Sequence, residues 1–422
     1  MKKSIYQYSI LLFAFACCFS GYSQTITFRE YMNNVKNNNI HYLVEKYNVD
    51  IADAGIQAAK VFPDPELSLS ATDNQQETLK MGYSFDAALD YTLELGGKRK
   101  ARIRLAQSQK ALADAQLEDF FQNLRADAVI QYSDVLKQKQ LLEIFTSSYQ
   151  QMKRLADADS IRFELGEITE TDAMQSKLEA NSMWNELEQN RADYKNALVE
   201  LSVYQGDKNF TGIDSVSGEL TYSKHEYNLP SLIITAQNNR ADLQAALLSK
   251  DVSAKVLQLA HANRAIDLGL TVGATHNTIV KNEIAPAPAF TGVTAGISIP
   301  LKFSNYNKGE IKAAQYAVKQ SEAVYDAVEM QIGKEVMQAY HNYVSACLQV
   351  EQFQTKLLSD AGTILKNKTY GYQRGETTLL DVLNAQRTYN DIYRNYCETL
   401  YNSLVYLIEL ERACGIWDIE LE

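Results

Sequence analysis

Tyr83-Ser84-Phe85-Asp86-Ala87-Ala88-Leu89-Asp90-Tyr91-Thr92-Leu93-Glu94-Leu95, followed by Gly96-Gly97-Lys98, is the stretch on which the fold turns. Its odd positions are aromatic or aliphatic, apart from Ala87. Its even positions are Ser, Asp, Ala, Asp, Thr and Glu. An alternation of period two predicts a strand over 83–95, one face apolar and the other polar. That is about twice the usual strand length in globular domains. It suits a segment with lipid on one side and water on the other. Gly96-Gly97 ends the alternation, and Lys98 opens a run of helical spacing through Ile103 and Ala106.

The same junction recurs along the 422 residues. Leu67, Leu69 and Ala71 alternate with Ser68 and Ser70, predicting a strand over 66–72. Strands are also expected over 265–275, where Leu268, Leu270, Val272 and Ala274 oppose Asp267, Gly269, Thr271 and Gly273, and over 290–300. The six prolines fall at 63, 65, 230, 286, 288 and 300, leaving 66–229 and 301–422 without any. Runs of that length rich in Ala, Leu, Gln, Glu and Lys permit very long helices. Helices are expected over 25–62, 98–164, 170–204, 231–264, 307–370 and 379–413. In the last, Val382, Ala385, Tyr389, Ile392, Tyr396, Leu400, Leu404, Leu407 and Leu410 step by three or four, as along a coiled-coil seam.

Two halves repeat. Ile103 and Ala106 match Ile311 and Ala314 at an offset of 208 residues. Gly166, Thr169, Asp172, Leu201 and Gly206 match Gly375, Thr378, Asp381, Leu410 and Gly415 at an offset of 209. The organisation read from this is a first repeat over 24–206, a linker over 207–230 and a second repeat over 231–422. The helix over 98–164 would be on the order of 100 Å long. Each such helix is matched in length by two shorter ones end to end.

Lys2 and Lys3, an apolar core over 10–19 and small residues at Gly21 and Ser23 predict a secretory signal peptide over 1–23. Cys17 and Cys18 are lipidation candidates, although the aliphatic residue expected three positions before the cysteine is missing. The mature chain keeps Cys347, Cys397 and Cys414, an odd number in helical patterns, which argues for buried thiols over a disulfide framework. Net charge is −11, and −13 without the signal peptide, so no basic patch for nucleic acid is expected. No P-loop, nucleophile elbow, zinc motif or dinucleotide fingerprint occurs, and His41, His225, His261, His276 and His341 lack ligand spacing. No enzymatic role, cofactor or resident metal is therefore expected.

Four strands cannot close a barrel, and an open edge in hydrocarbon leaves backbone groups unsatisfied at several kcal/mol each. Several copies must then share one barrel. Polar-face residues Asp86, Asp90, Glu94 and Asp267 need water, which favours a lumen wider than that of an eight-stranded barrel, hence a trimer.

The duplicated strand and helix pattern, Gly96-Gly97-Lys98-Arg99, Asn307-Lys308-Gly309-Glu310-Ile311 and Arg374-Gly375-Glu376-Thr377-Thr378-Leu379-Leu380-Asp381-Val382-Leu383 resemble the TolC family of outer-membrane efflux proteins. The resemblance covers nearly the whole mature chain. It implies a mixed α/β membrane protein: a homotrimer with a 12-stranded outer-membrane β-barrel continued by a periplasmic α-helical coiled-coil barrel. It further implies an exit duct that docks through its helix tips onto a periplasmic adaptor and an inner-membrane efflux pump, and passes small molecules or metal cations. The expected tips are Leu165-Gly166-Glu167 and Arg374-Gly375-Glu376, where glycine also serves simply to reverse the chain. Asp381 would ring the aperture, with Asp172 its counterpart and Asn384 standing where other members carry a second acid. Both aspartates also read as helix-capping acids, and that alternative is open at this stage. Rival readings are a type I protein-secretion duct, a periplasmic adaptor and a coiled-coil surface protein.

Overall fold

The computed structural model describes residues 25–76, 79–210, 213–301 and 306–419. The expected signal peptide, with Cys17 and Cys18, lies outside the described residues. The chain forms two compact units that are not the two sequence halves. One comprises residues up to 43, 121–239 and 332–422; the other 44–120 and 240–331.

The second unit holds a four-stranded antiparallel sheet made of β2 (Glu66–Asp73), β3 (Tyr83–Leu93), β5 (Leu268–Asn277) and β6 (Phe290–Ser298). The order is β2-β3-β5-β6, so the sequence-distant β3 and β5 are central and β2 and β6 are unpaired edges. Register sets Ser70 beside Asp86 beside Thr275, and Glu66 beside Asp90 beside Thr271. One face therefore carries two polar rows, separated by Ser68, Ala88 and Gly273. The other carries Leu67, Leu69, Phe85, Leu89, Val272, Val293 and Ile297, all exposed, with Val293 at 80% and Leu69 at 72%.

Helices dominate the remainder. α3 (Lys98–Glu164) runs 67 residues without a break, and α4 (Glu170–Tyr204) follows it, both with the expected bounds. Three expected helices are interrupted. The segment over 25–62 begins with β1 (Thr25–Ile26), which pairs in parallel with β4 (Ser215–Val216) inside the expected linker. It then splits into α1 (Phe28–Asn38) and α2 (Ile40–Lys60). Asn39 makes the break: its Oδ1 accepts from the Tyr42 backbone N–H at 2.9 Å while its Nδ2 donates to the Tyr204 carbonyl at 2.8 Å. A side-chain acceptor at a helix start replaces a missing backbone partner. The segment over 231–264 likewise divides into α5 (Leu229–Asn239) and α6 (Ala241–Ala262) at Arg240, whose backbone is extended.

The third interruption is a π turn, Phe353–Leu357, between α7 (Lys308–Gln352) and α8 (Leu358–Gln373). A π turn accommodates one surplus residue within a helix. The offset between matching residues changes from 208 to 209 between Ala314 and Gly375, and the π turn lies in that interval. The last helix is α9 (Leu379–Cys414), closed by Gly415 in the left-handed conformation.

The seam of α9 differs in its middle from the expected one. Val382, Ala385, Leu400, Leu407 and Leu410 are buried, but Tyr389, Ile392, Tyr396 and Leu404 are only half-buried. Gln386, Asn390 and Cys397 take the buried places. The polar pair is satisfied internally: Asn390 Oδ1 accepts from Ser148 of α3 at 2.8 Å and from Gln386 at 3.0 Å. Buried amides are tolerated when bonded in this way. Cys347, Cys397 and Cys414 are buried, and burial pushes the Cys397 thiol up to about 11.

Candidate functional site

Three places concentrate unusual chemistry: the polar sheet face, the strand–helix junction and the two helix turns.

On the sheet, Asp86 accepts hydrogen bonds from Thr275 at 2.6 Å and Ser70 at 3.3 Å, and Asp90 accepts from Thr271. Each carboxylate is held by hydroxyls from neighbouring strands, with no ion pair among the described residues. These side chains are half-buried by the sheet alone, whereas the opposite, apolar face is open. That is the reverse of a soluble sheet, which hides its apolar side.

Glu94 and Asp267 correct the expectation that they share this face. β3 stops at Leu93 and β5 starts at Leu268, so both acids lie just beyond the sheet. Asp267 meets the buried Lys98 ammonium at 2.6 Å and accepts from the Leu95 backbone N–H at 3.3 Å. Glu94 pairs with Arg102. They pin the start of α3 to the end of the sheet. Gly96 is obligatory there: its φ is +71° and an added Cβ would lie 2.1 Å from the Ala265 Cβ.

At the helix turns, α3 and α8 end in the same motif. The Glu167 N–H bonds the Arg162 carbonyl at 2.8 Å and the Gly166 N–H bonds Phe163 at 2.9 Å. The Glu376 N–H bonds the Gly371 carbonyl at 2.8 Å and the Gly375 N–H bonds Tyr372 at 3.0 Å. Both are Schellman closures around a left-handed glycine, φ +78° and +76°. Three residues on, Thr169 and Thr378 cap α4 and α9. The turn residues Leu165, Gly166, Glu167, Arg374, Gly375 and Glu376 are exposed, Leu165 by 70%. Glu167 pairs with Arg162 at 3.3 Å, and Arg374 stacks 4.4 Å over the Tyr370 ring.

Asp381 completes a full capping box with Thr378, each side chain bonding the other's backbone N–H. Lys368 also reaches it at 3.3 Å. The Thr378 bonds and then Lys368 hold its carboxyl below the ordinary range. Asp172 makes the side-chain half of the same arrangement, accepting from the Thr169 hydroxyl at 2.7 Å. Asn384 is exposed one turn into α9.

Sequence reading missed a buried acid beside these turns. Asp159 of α3 is fully buried and accepts from the Tyr372 hydroxyl of α8 at 2.9 Å. Its second oxygen finds no hydrogen-bond partner among the described residues. Burial pushes its carboxyl up, against the opposing pull of Tyr372, Ser176 and Arg162. The available signal was spacing: Met152, Ala156 and Asp159 step along one seam, which sets a carboxylate where an apolar residue belongs.

Comparison with known proteins follows the same outline. The family described as outer membrane efflux protein matches residues 32–207 and again 232–416. The cobalt-zinc-cadmium resistance protein CzcC of Cupriavidus metallidurans is 24% identical over 376 residues, covering 87% of this chain and 84% of the relative. The outer membrane protein TolC of Vibrio cholerae is 22% identical, covering 92% and 90%. Among solved structures, the CmeC outer membrane channel of Campylobacter jejuni superposes with a TM-score of 0.76 at 16% identity, covering 92% of this chain and 85% of that one.

Proposed function

Since the chain belongs to the outer membrane efflux protein family, and is thus an outer-membrane channel of a Gram-negative cell with a large periplasmic part, we propose that three copies form the exit duct of a tripartite efflux system. The observation that carries this reading is the sheet. Four strands with an exposed apolar face, a hydroxyl- and carboxylate-lined face and two unpaired edges are incomplete alone. In hydrocarbon each unpaired backbone group costs several kcal/mol, so β6 of one copy must meet β2 of the next. Twelve strands leave a water-filled lumen, and Asp86 and Asp90 then face it.

The duct is passive and the partner pump supplies the energy. Leu165, Gly166, Glu167, Arg374, Gly375 and Glu376 meet the periplasmic adaptor at the exposed turns. Asp381, with Asp172 and Asn384, surrounds the aperture, and opening untwists α8 and α9 near the Thr378 cap. The cargo is small molecules or metal cations. The name of the relative CzcC, which speaks of cobalt, zinc and cadmium resistance, makes metal cations the first to test.

The test is the mass of the detergent-extracted protein together with its conductance in a planar bilayer. A trimer that conducts ions is expected. A detergent-free soluble monomer without conductance would overturn the reading. Loss of resistance to cobalt, zinc or cadmium on deletion assigns the cargo; unchanged metal tolerance with altered dye, detergent or protein export assigns it otherwise.

A further inference from the structure

The start of β2, the end of β3, the start of β5 and the end of β6 lie at one end of the sheet, where each strand meets a helix. Two arginines at this end are handled differently from their neighbours. Lys98 and Arg102 are neutralised by Asp267 and Glu94. Arg99 and Arg264 form no ion pair among the described residues, and each lies over an aromatic ring instead. The Arg99 guanidinium sits 4.0 Å over Phe62, with its Nε donating to the Lys60 carbonyl at 2.7 Å. The Arg264 guanidinium sits 4.4 Å over Tyr306. Both rings are at the surface, Phe62 exposed by 57% and Tyr306 by 44%.

Around these stacks the surface mixes two chemistries. Val61, Leu95, Ile299 and Leu301, just beyond the strand ends, are exposed. Lys60, Lys100 and Lys308 are exposed beside them. Asp64, Glu66 and Glu310 are exposed on the same segments, so with Arg99 and Arg264 the surface keeps only a small cationic excess, in a chain whose net charge is −11. Aromatic rings with cations at the edge of an apolar band are the composition of a membrane interface. A guanidinium held over a ring is restrained in position, and its fork of N–H donors matches a phosphate oxygen pair.

We propose that Arg99 on Phe62 and Arg264 on Tyr306 each bind the phosphodiester of an anionic phospholipid, of the phosphatidylglycerol type, from the leaflet on the helix side of the barrel. The proposal rests on the membrane reading above. The apolar side chains beside each stack take the proximal acyl chain, and the guanidinium takes the headgroup phosphate. Free phosphate lacks the acyl contact and is the weaker ligand.

Native mass spectrometry of the detergent-solubilised assembly tests this, with phosphatidylglycerol, phosphatidylcholine or inorganic phosphate added in turn. Phosphatidylglycerol is expected to remain bound at up to one molecule per stack and to raise the thermal midpoint; the other two additives should do neither. Arg99→Gln with Arg264→Gln should abolish retention, about tenfold in affinity for each charge-assisted hydrogen bond removed. Arg99→Lys with Arg264→Lys keeps the charge without the fork and should retain lipid partially. Equal retention of both lipids, retention in the Gln variant, or full reproduction by inorganic phosphate would each overturn the proposal. If the Gln variant does not assemble, the Lys variant decides: retention equal to the parent sinks the guanidinium argument. Failure to retain lipid by a conducting trimer sinks only this inference, whereas absence of trimer and conductance sinks the duct reading itself.

Discussion

Replacing Tyr372 by Phe removes one hydroxyl and leaves the ring packed against Met152, Ala156, Ala180 and Val382. The bond removed is the 2.9 Å donation to Asp159, a fully buried carboxyl that Arg162 approaches at 3.6 Å and whose other oxygen has no hydrogen-bond partner among the described residues. A hydrogen bond to a buried charged group is worth about 1.5–3 kcal/mol and one to a neutral group about 1. At neutral pH the expected cost is therefore about 2 kcal/mol, roughly thirtyfold in local protection. The pH dependence has a definite sign. Burial raises the folded pKa of Asp159 above its unfolded value, so the folded state binds the proton more tightly. Stability from this group is gained as pH falls through the raised folded pKa and is complete below the ordinary carboxylate value. Tyr372→Phe removes an interaction that lowers that pKa, so its penalty should shrink at mildly acidic pH. Native-state hydrogen exchange of amides around Asp159 and Tyr372, at neutral and mildly acidic pH, reads both quantities without requiring the assembly to unfold reversibly. Asp159→Asn closes the cycle: the same hydroxyl deletion on that background should cost only about 1 kcal/mol and be independent of pH. Equal penalties on both backgrounds, or a penalty unchanged by pH, would refute the account of a strained, underpaired carboxyl.

Further tests address backbone and charge. Gly375→Ala meets nothing within 4 Å, so its cost should be only the left-handed backbone, about 1–2 kcal/mol, seen as a modest drop in thermal midpoint. Gly96→Ala adds a clash with Ala265 to the same backbone strain and should cost about 1–3 kcal/mol more; equal effects at the two positions would be contrary to this geometry. Asp381→Asn should remove the acid limb of α9 stability. The carboxyl is held below its ordinary value, so its contribution is present above that value and disappears as pH falls through the folded one; thermal unfolding followed by circular dichroism should find the variant less stable than the parent at neutral pH and the two converging as pH falls. Deleting Thr355 should turn the π turn into regular helix with helical content unchanged, and an unfolded product would show that the surplus residue is structural.

Much of this protein was written locally. Alternation over 83–95 fixed which side chains share a sheet face, because period two is a property of the strand itself. The ends of α3 and α4, and the turns at Gly166 and Gly375, followed from proline-free helical composition and from a residue able to adopt positive φ. Thr378 three positions before Asp381 was enough to foresee the cap.

Other features depend on neighbours that chain position does not disclose. Glu94 and Asp267 satisfied the strand pattern, yet basic side chains at the start of α3 drew them out of the sheet into ion pairs. Asn39 ended a helix because the Tyr204 carbonyl, 165 residues away, was there to receive its amide. Tyr372 and Asp159 are 213 residues apart and meet only because the α3 and α8 ends are packed together. Periodicity and propensity act over one or two turns; a buried charge is settled by whichever group the folded chain brings against it.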